Sequence, residues 1–169
     1  MNKNTVILVT SLVILLILTG ITFGTEITGF IVKKDRDAFG DEGQAYKVIG
    51  NRFAEADNYK EAIIAYEKSL IYEEDQEVRN NLAILYHKQG EYSKAIEHLN
   101  ILTEQNPDNP SYHYDLAINL VDRFRNSEEQ SVQDLIDALH EYKKVVELEP
   151  GYAHAKENID VLTKILKLE

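Results

Sequence analysis

A chain of 169 residues with 18 Lys and Arg against 29 Asp and Glu holds one domain of ordinary size plus an accessory segment, at a net charge of −11. That balance lacks the electrostatic footprint of nucleic-acid binding, and the absence of cysteine excludes a disulfide framework, thiol chemistry and lipid attached through sulfur. Acidity of this kind keeps a surface solvated or draws basic partners.

Asn4 to Thr25 carries no charge, and Val6 to Ile17 is almost wholly aliphatic. A helix over Thr5 to Gly24 spans about 30 Å at roughly 1.5 Å per residue, the thickness of a bilayer's hydrocarbon core. Residues 1–32 therefore read as a membrane anchor or uncleaved signal segment, which makes the chain a single-pass membrane protein with the lipid bilayer as a partner. A cleaved signal wants several n-region charges and a small-x-small site; here Lys3 is the single charge and Thr22-Phe23-Gly24 the best site. Lys33, Lys34 and Arg36 follow the apolar run, so the positive-inside count leans to a cytoplasmic array, with export left open.

Residues 33–42 (KKDRDAFGDE) form a charged linker, and Asp41-Glu42 bias a helix start. The span 43–75 then carries Tyr46, Ile49, Gly50 and Phe53, followed by Tyr59, Ala62, Tyr66 and Ser69, as two helical faces about the Asp57-Asn58 turn. Asp57-Asn58 stands in place of a turn glycine, with Asn58 able to adopt the left-handed conformation. Gly50 falls inside a helix, at about 1 kcal/mol against alanine, which a close approach of the partner helix would offset.

The span 76–109 repeats the design more cleanly. Val78, Leu82, Leu85 and Tyr86 make one stripe, Gly90 stops the helix, and Ala95, Ile96, Leu99 and Leu102 make the next stripe before Asn106-Pro107. Tyr59 and Ala62 recur as Tyr92 and Ala95, a shift of 33 residues, the period of helix-pair solenoids. With Leu82, Ala83, Tyr86, Gly90, Tyr92, Ala95, Leu99 and Pro107 in place, the stretch resembles the tetratricopeptide repeat (TPR) family. It departs from that pattern at Arg79, where tryptophan is usual, and at Leu102, where alanine is usual. Glu74 stands where the first repeat's closing proline is expected, which predicts a looser turn there.

The span 110–151 opens with Asn109-Pro110, continues through Tyr112, Leu116, Ala117 and Leu120, and returns through Ala138, Tyr142 and Val145. Between the halves lies an insertion near 123–133, with Ser131 and Asp134 spaced as a capping box. It reads as a projecting hairpin tip, either a binding feature or a tolerated surface insertion. Residues 152–167 read as a cap helix with Ala155, Ile159, Leu162 and Leu166 on its apolar face. The expected fold is all-α: an N-terminal transmembrane helix followed by a TPR-type solenoid, 43–169, of about three helix pairs plus a cap.

Chemistry is thin. His87, His98, His113, His140 and His154 are scattered without ligand spacing, and His140-Glu141 fails the zincin pattern at Lys144. Phosphate-binding glycine loops and nucleophile elbows are absent, and Tyr46, Tyr59, Tyr66, Tyr86 and Tyr92 fall on repeat packing positions. No catalytic, cofactor or metal site is expected, and the chain is not expected to be an enzyme.

The resemblance implies a groove lined by the first helix of each pair. TPR co-chaperones hold a terminal carboxylate with three cations and two asparagines; Lys47, Asn51 and Asn81 match three of these positions, while Ser111 and Asp115 replace the other cations. Asp115 repels a carboxylate, so that clamp is not expected. The candidate site is instead Lys47, Asn51, Asn81, Ile84 and Tyr114, taking an extended or helical peptide by hydrogen bonds and stacking. The function this implies is a non-catalytic, membrane-tethered adaptor for a protein or peptide partner. The alternative is an assembly factor of a larger envelope or secretion complex, packing through its convex face or the 123–133 insertion.

Overall fold

The computed structural model describes residues 41–167, all of them helix or short connection. In chain order the helices are α1 Glu42–Glu55, α2 Tyr59–Tyr72, α3 Gln76–Lys88, α4 Tyr92–Gln105, α5 Pro110–Asn126, α6 Val132–Leu148 and α7 Ala155–Ile165. Each packs on its chain neighbours: α1 with α2, α3 with α4 and α5 with α6 as hairpins, the hairpins joined by α2–α3, α4–α5 and α6–α7 contacts. The expected all-α solenoid of helix pairs is therefore what these residues form.

Packing rests on small residues at the crossings. Ala62, Ala95 and Ala138, one in each second helix, are fully buried, with Leu82, Leu99 and Val145 packed around them. Gly50 shows the same device at its limit: a Cβ placed there would stand 2.4 Å from Tyr66 Cδ1. The α2 ring lies directly on the α1 backbone, which is why glycine occupies a helix interior.

Local signals set the ends. Asp41, Asp75 and Asn109 cap α1, α3 and α5 by accepting backbone N–H groups from Gly43, Glu77 with Val78, and Ser111. Gly90 turns the second hairpin at φ +74°, and the matching position in the first hairpin is Asp57 at φ +57°. Asn58, read as able to adopt that conformation, has φ −85°. Asp57 accommodates the left-handed backbone and accepts a 2.6 Å hydrogen bond from the Tyr59 hydroxyl. Glu74 does not loosen the link it occupies. Only Glu73, Glu74 and Asp75 separate α2 from α3, and Glu74 accepts both Arg79 Nε, at 2.7 Å, and Arg79 Nη2.

Helices α5 and α6 have 17 residues each, against 13 or 14 in the four before them. The tip is not capped as expected: the Ser131 side chain makes no cap hydrogen bond. Buried Asp134 instead accepts Arg123 Nε at 2.8 Å and Nη2 at 2.7 Å, tying the two long helices together at their free end.

One expectation is corrected. Single-pass membrane localisation, with its lean to the cytoplasmic side, is withdrawn, because among the described residues no helix is long and apolar enough to cross a membrane. The longest, α5 and α6, reach only about 26 Å, and both carry several charged side chains. The apolar run that prompted the reading, residues 5–24, and the linker up to residue 40 lie outside the described residues.

Candidate functional site

The first helices of successive pairs, α1, α3 and α5, meet through side chains on one face, where all five candidate residues stand. Their surroundings differ sharply from one end to the other.

At the α1–α3 end the polar groups are already engaged. Lys47 Nζ contacts Asp75 Oδ2 at 2.8 Å and Glu77 Oε2 at 2.6 Å. Burial pulls the ammonium down, but its hydrogen bonds to the two carboxylates outweigh it and the net direction is up. Burial likewise raises the Asp75 carboxyl, and the Lys47 hydrogen bond with the cap N–H groups brings it below its ordinary value. Asn51 and Asn81 converge on one group: the Tyr66 hydroxyl donates to Asn51 Oδ1 at 2.7 Å and receives Asn81 Nδ2 at 3.4 Å. These three candidates therefore bind α1, α2 and α3 to each other. The cation of a carboxylate clamp is neutralised by the protein's own acids.

Toward α5 and α7 the face opens. Ile84 is 43% exposed and, with His87, Asp115 and Ile118, lines a recess of about 190 Å³ between α3 and α5. His87 Nδ1 stands 3.0 Å from Asn119 Oδ1 and its Nε2 3.8 Å from Asp122, so the ring bridges the two helices. Burial pushes the Asp115 carboxyl up, while the nearby His87 draws it down. Among the described residues the Asp115 carboxylate accepts no hydrogen bond and forms no ion pair.

Tyr114 borders a second recess of about 300 Å³ between α5 and α7, walled by Ile118, Phe124, Val161 and Ile165. Its ring packs edge-on against Tyr142 and tilted against Tyr152, at 5.5 Å and 5.4 Å between centroids. Ile118 walls both recesses, making one interrupted apolar track. Val161 and Ile165, 55% and 56% exposed, were not foreseen. Their i, i+4 spacing is the sequence signal of a second stripe on α7, beside the buried Ala155–Leu162 face.

The outer face is more polar. A recess of about 410 Å³ between α4, α5 and α6 holds Asn100, Arg123, Asp137 and His140. His113, buried near it, places Nδ1 2.6 Å from Glu141 and Nε2 2.9 Å from the Pro107 carbonyl. Those contacts lock the α4–α5 link to α6. Among the described residues no group of three or more His, Asp or Glu is placed to hold a metal ion. Burial pushes the phenols of Tyr86 and Tyr142 up, with Glu67 beside the first, which suits packing groups held neutral.

Stacked helix hairpins whose first helices share one lined face define a helix-pair repeat protein. The chain belongs to the tetratricopeptide repeat family: the family's model, described as tetratricopeptide repeat, matches residues 53–117. Over 121 residues it is 33% identical to the Photosystem I assembly protein Ycf3 of Prochlorococcus marinus (strain MIT 9211), covering 65% of this chain and 70% of that relative. Among solved structures it resembles YrrB, described as a TPR protein with an unusual peptide-binding site, at a TM-score of 0.65 and 21% identity, over 89% of this chain and 73% of that one. The first TPR of Spaghetti (RPAP3), bound to the HSP90 peptide SRMEEVD, superposes at a TM-score of 0.59 with 22% identity, over 74% of this chain and 93% of that one. At such identities the two structures establish the shared fold.

Proposed function

We propose that the chain is a non-catalytic TPR adaptor that holds a segment of a protein partner on the face formed by α1, α3, α5 and α7. The observation that carries this reading is the pair of apolar recesses joined at Ile118, with Ile84, Val161 and Ile165 left exposed along them. Exposed apolar side chains lining a concave track are what a docked segment buries. Of the five candidate residues, Ile84 and Tyr114 are the ones that face such a segment, while Lys47, Asn51 and Asn81 hold the helices that present them.

A second reading is favoured by the relatives, which are named Photosystem I assembly proteins. Here the array is an assembly factor for a larger complex and packs through its outer face or the α5–α6 tip. The two readings separate in a co-purification of the tagged full-length chain from its own cells. Under the groove reading, Ile84→Glu with Val161→Glu releases the partner and deletion of Glu128–Gln130 does not. The opposite pattern transfers the function to the tip.

A further inference from the structure

The open half of the inner face has a chemical bias that narrows the partner. Asp115 lines the recess with Ile84 and Ile118, half withdrawn from water, with His87 nearby and nothing among the described residues donating a hydrogen bond to its carboxylate. The cations nearby each have a contact within the chain, Lys88 on the rim of the same recess and exposed Arg125 on the rim of the second. Lys47 is held by Asp75 and Glu77, Lys88 lies 4.7 Å above the Tyr59 ring, and Arg125 reaches Asp122 at 4.0 Å.

A ligand carboxylate entering here meets Asp115 and Asp122 and is repelled. A purely apolar ligand covers Asp115 and leaves a desolvated charge without a partner. A ligand ammonium or guanidinium supplies the missing donor, and the apolar walls keep that pair partly dry, where it is strongest.

We propose that this groove selects a segment whose lysine or arginine side chain reaches Asp115 while flanking apolar side chains enter the recesses at Ile84–Ile118 and at Val161–Ile165. The partner is thus a basic amphipathic segment of another protein, matched to a face that offers a carboxylate between two apolar recesses. This deepens the adaptor reading and rests on it.

Three fluorescein-labelled 14-residue peptides test it, each with leucines at helical spacing and the remaining positions all Lys, all Gln or all Glu. Fluorescence anisotropy with the full-length chain at 0.15 M salt gives each affinity. The Leu/Lys peptide is expected to bind about tenfold or more tighter than Leu/Gln, and Leu/Glu weakest. Asp115→Asn closes the Lys-over-Gln gap. Glu104→Gln, the same charge change at an exposed position of α4, leaves the gap intact and so separates the site from bulk acidity. Failure of Leu/Lys to bind, equal binding of Leu/Lys and Leu/Gln, or an equal effect of Glu104→Gln overturns the cation selectivity. Ile84→Asn with Val161→Asn then separates the two levels. If these weaken whichever peptide binds, the groove stands without its charge preference; if they change nothing, the groove reading falls as well.

Discussion

Replacing Gly50 by alanine sets two opposed effects against each other. In an open helix interior the change stabilises by about 1 kcal/mol, because glycine loses more backbone entropy on folding. In this fold the new methyl would stand 2.4 Å from Tyr66 Cδ1 and 2.5 Å from Cε1, well inside van der Waals contact. The ring cannot swing away. Tyr66 is 2% exposed, and its hydroxyl is pinned between Asn51 and Asn81. Overpacking of this kind costs roughly 1–3 kcal/mol, so after the propensity gain is subtracted the net expectation is a loss of about 0–2 kcal/mol in place of a gain of about 1. Urea denaturation of the full-length chain followed by far-UV circular dichroism measures it. A double-mutant cycle locates the cause: Tyr66→Leu is costly alone, and in the Gly50→Ala background its cost falls by about 1 kcal/mol because the clash goes with the ring. A Gly50→Ala protein more stable than the parent by the full propensity term, with additive effects in the cycle, refutes the close approach of α1 and α2.

Asp57→Gly is expected to stabilise by about 0.5 kcal/mol in the same assay, since relief of the left-handed backbone exceeds the loss of the exposed Tyr59 hydrogen bond. Asp134→Ala is expected to cost about 1–2 kcal/mol, discounted for the partly exposed Arg123 side chain, and to leave the helices beyond α5 and α6 intact in hydrogen exchange. Asp115→Asn carries a pH signature. Burial raises the Asp115 carboxyl above its ordinary 3.8, so its penalty is absent below that value, appears as pH rises through the raised value, and is fully present at neutral pH. The variant is therefore expected to be more stable than the parent at pH 7, with the advantage vanishing by about pH 3. An advantage that is constant with pH removes the desolvated-charge account.

What the sequence exposed and what it hid divide along a physical line. Stripes at helical spacing, Gly90 and the glycine at position 50 are short-range signals, and each has its structural counterpart in a helix face, a turn at positive φ or a helix crossing. Pairings across 28 or 15 residues carry no such periodicity. Lys47 looked like a free groove cation until α3 brought Asp75 and Glu77 against it, and the two asparagines looked like ligand donors until Tyr66 came between them. Ser131 and Asp134 had cap spacing, yet the carboxylate went to Arg123, because a bidentate guanidinium outcompetes a single backbone N–H. Asp57 could not be told from Asn58, since both residue types tolerate the left-handed region.

These reassignments bear on where binding happens. A polar side chain on a groove either joins neighbouring repeats or waits for a ligand, and one hydrogen-bonding group rarely does both at full strength. In the first two hairpins Lys47, Asn51 and Asn81 join neighbouring helices. From Ile84 onward the inner face keeps exposed aliphatic side chains and the half-buried Asp115 carboxylate, which has His87 nearby and accepts no hydrogen bond among the described residues. Partial burial holds the Asp115 carboxyl above its ordinary value, and the stability cost that this implies at neutral pH is what Asp115→Asn tests. A cost the fold bears and a ligand can repay is the physical mark of a site. The groove proposed here lies between α3 and α7, beyond Lys47, Asn51 and Asn81 at the family's clamp positions.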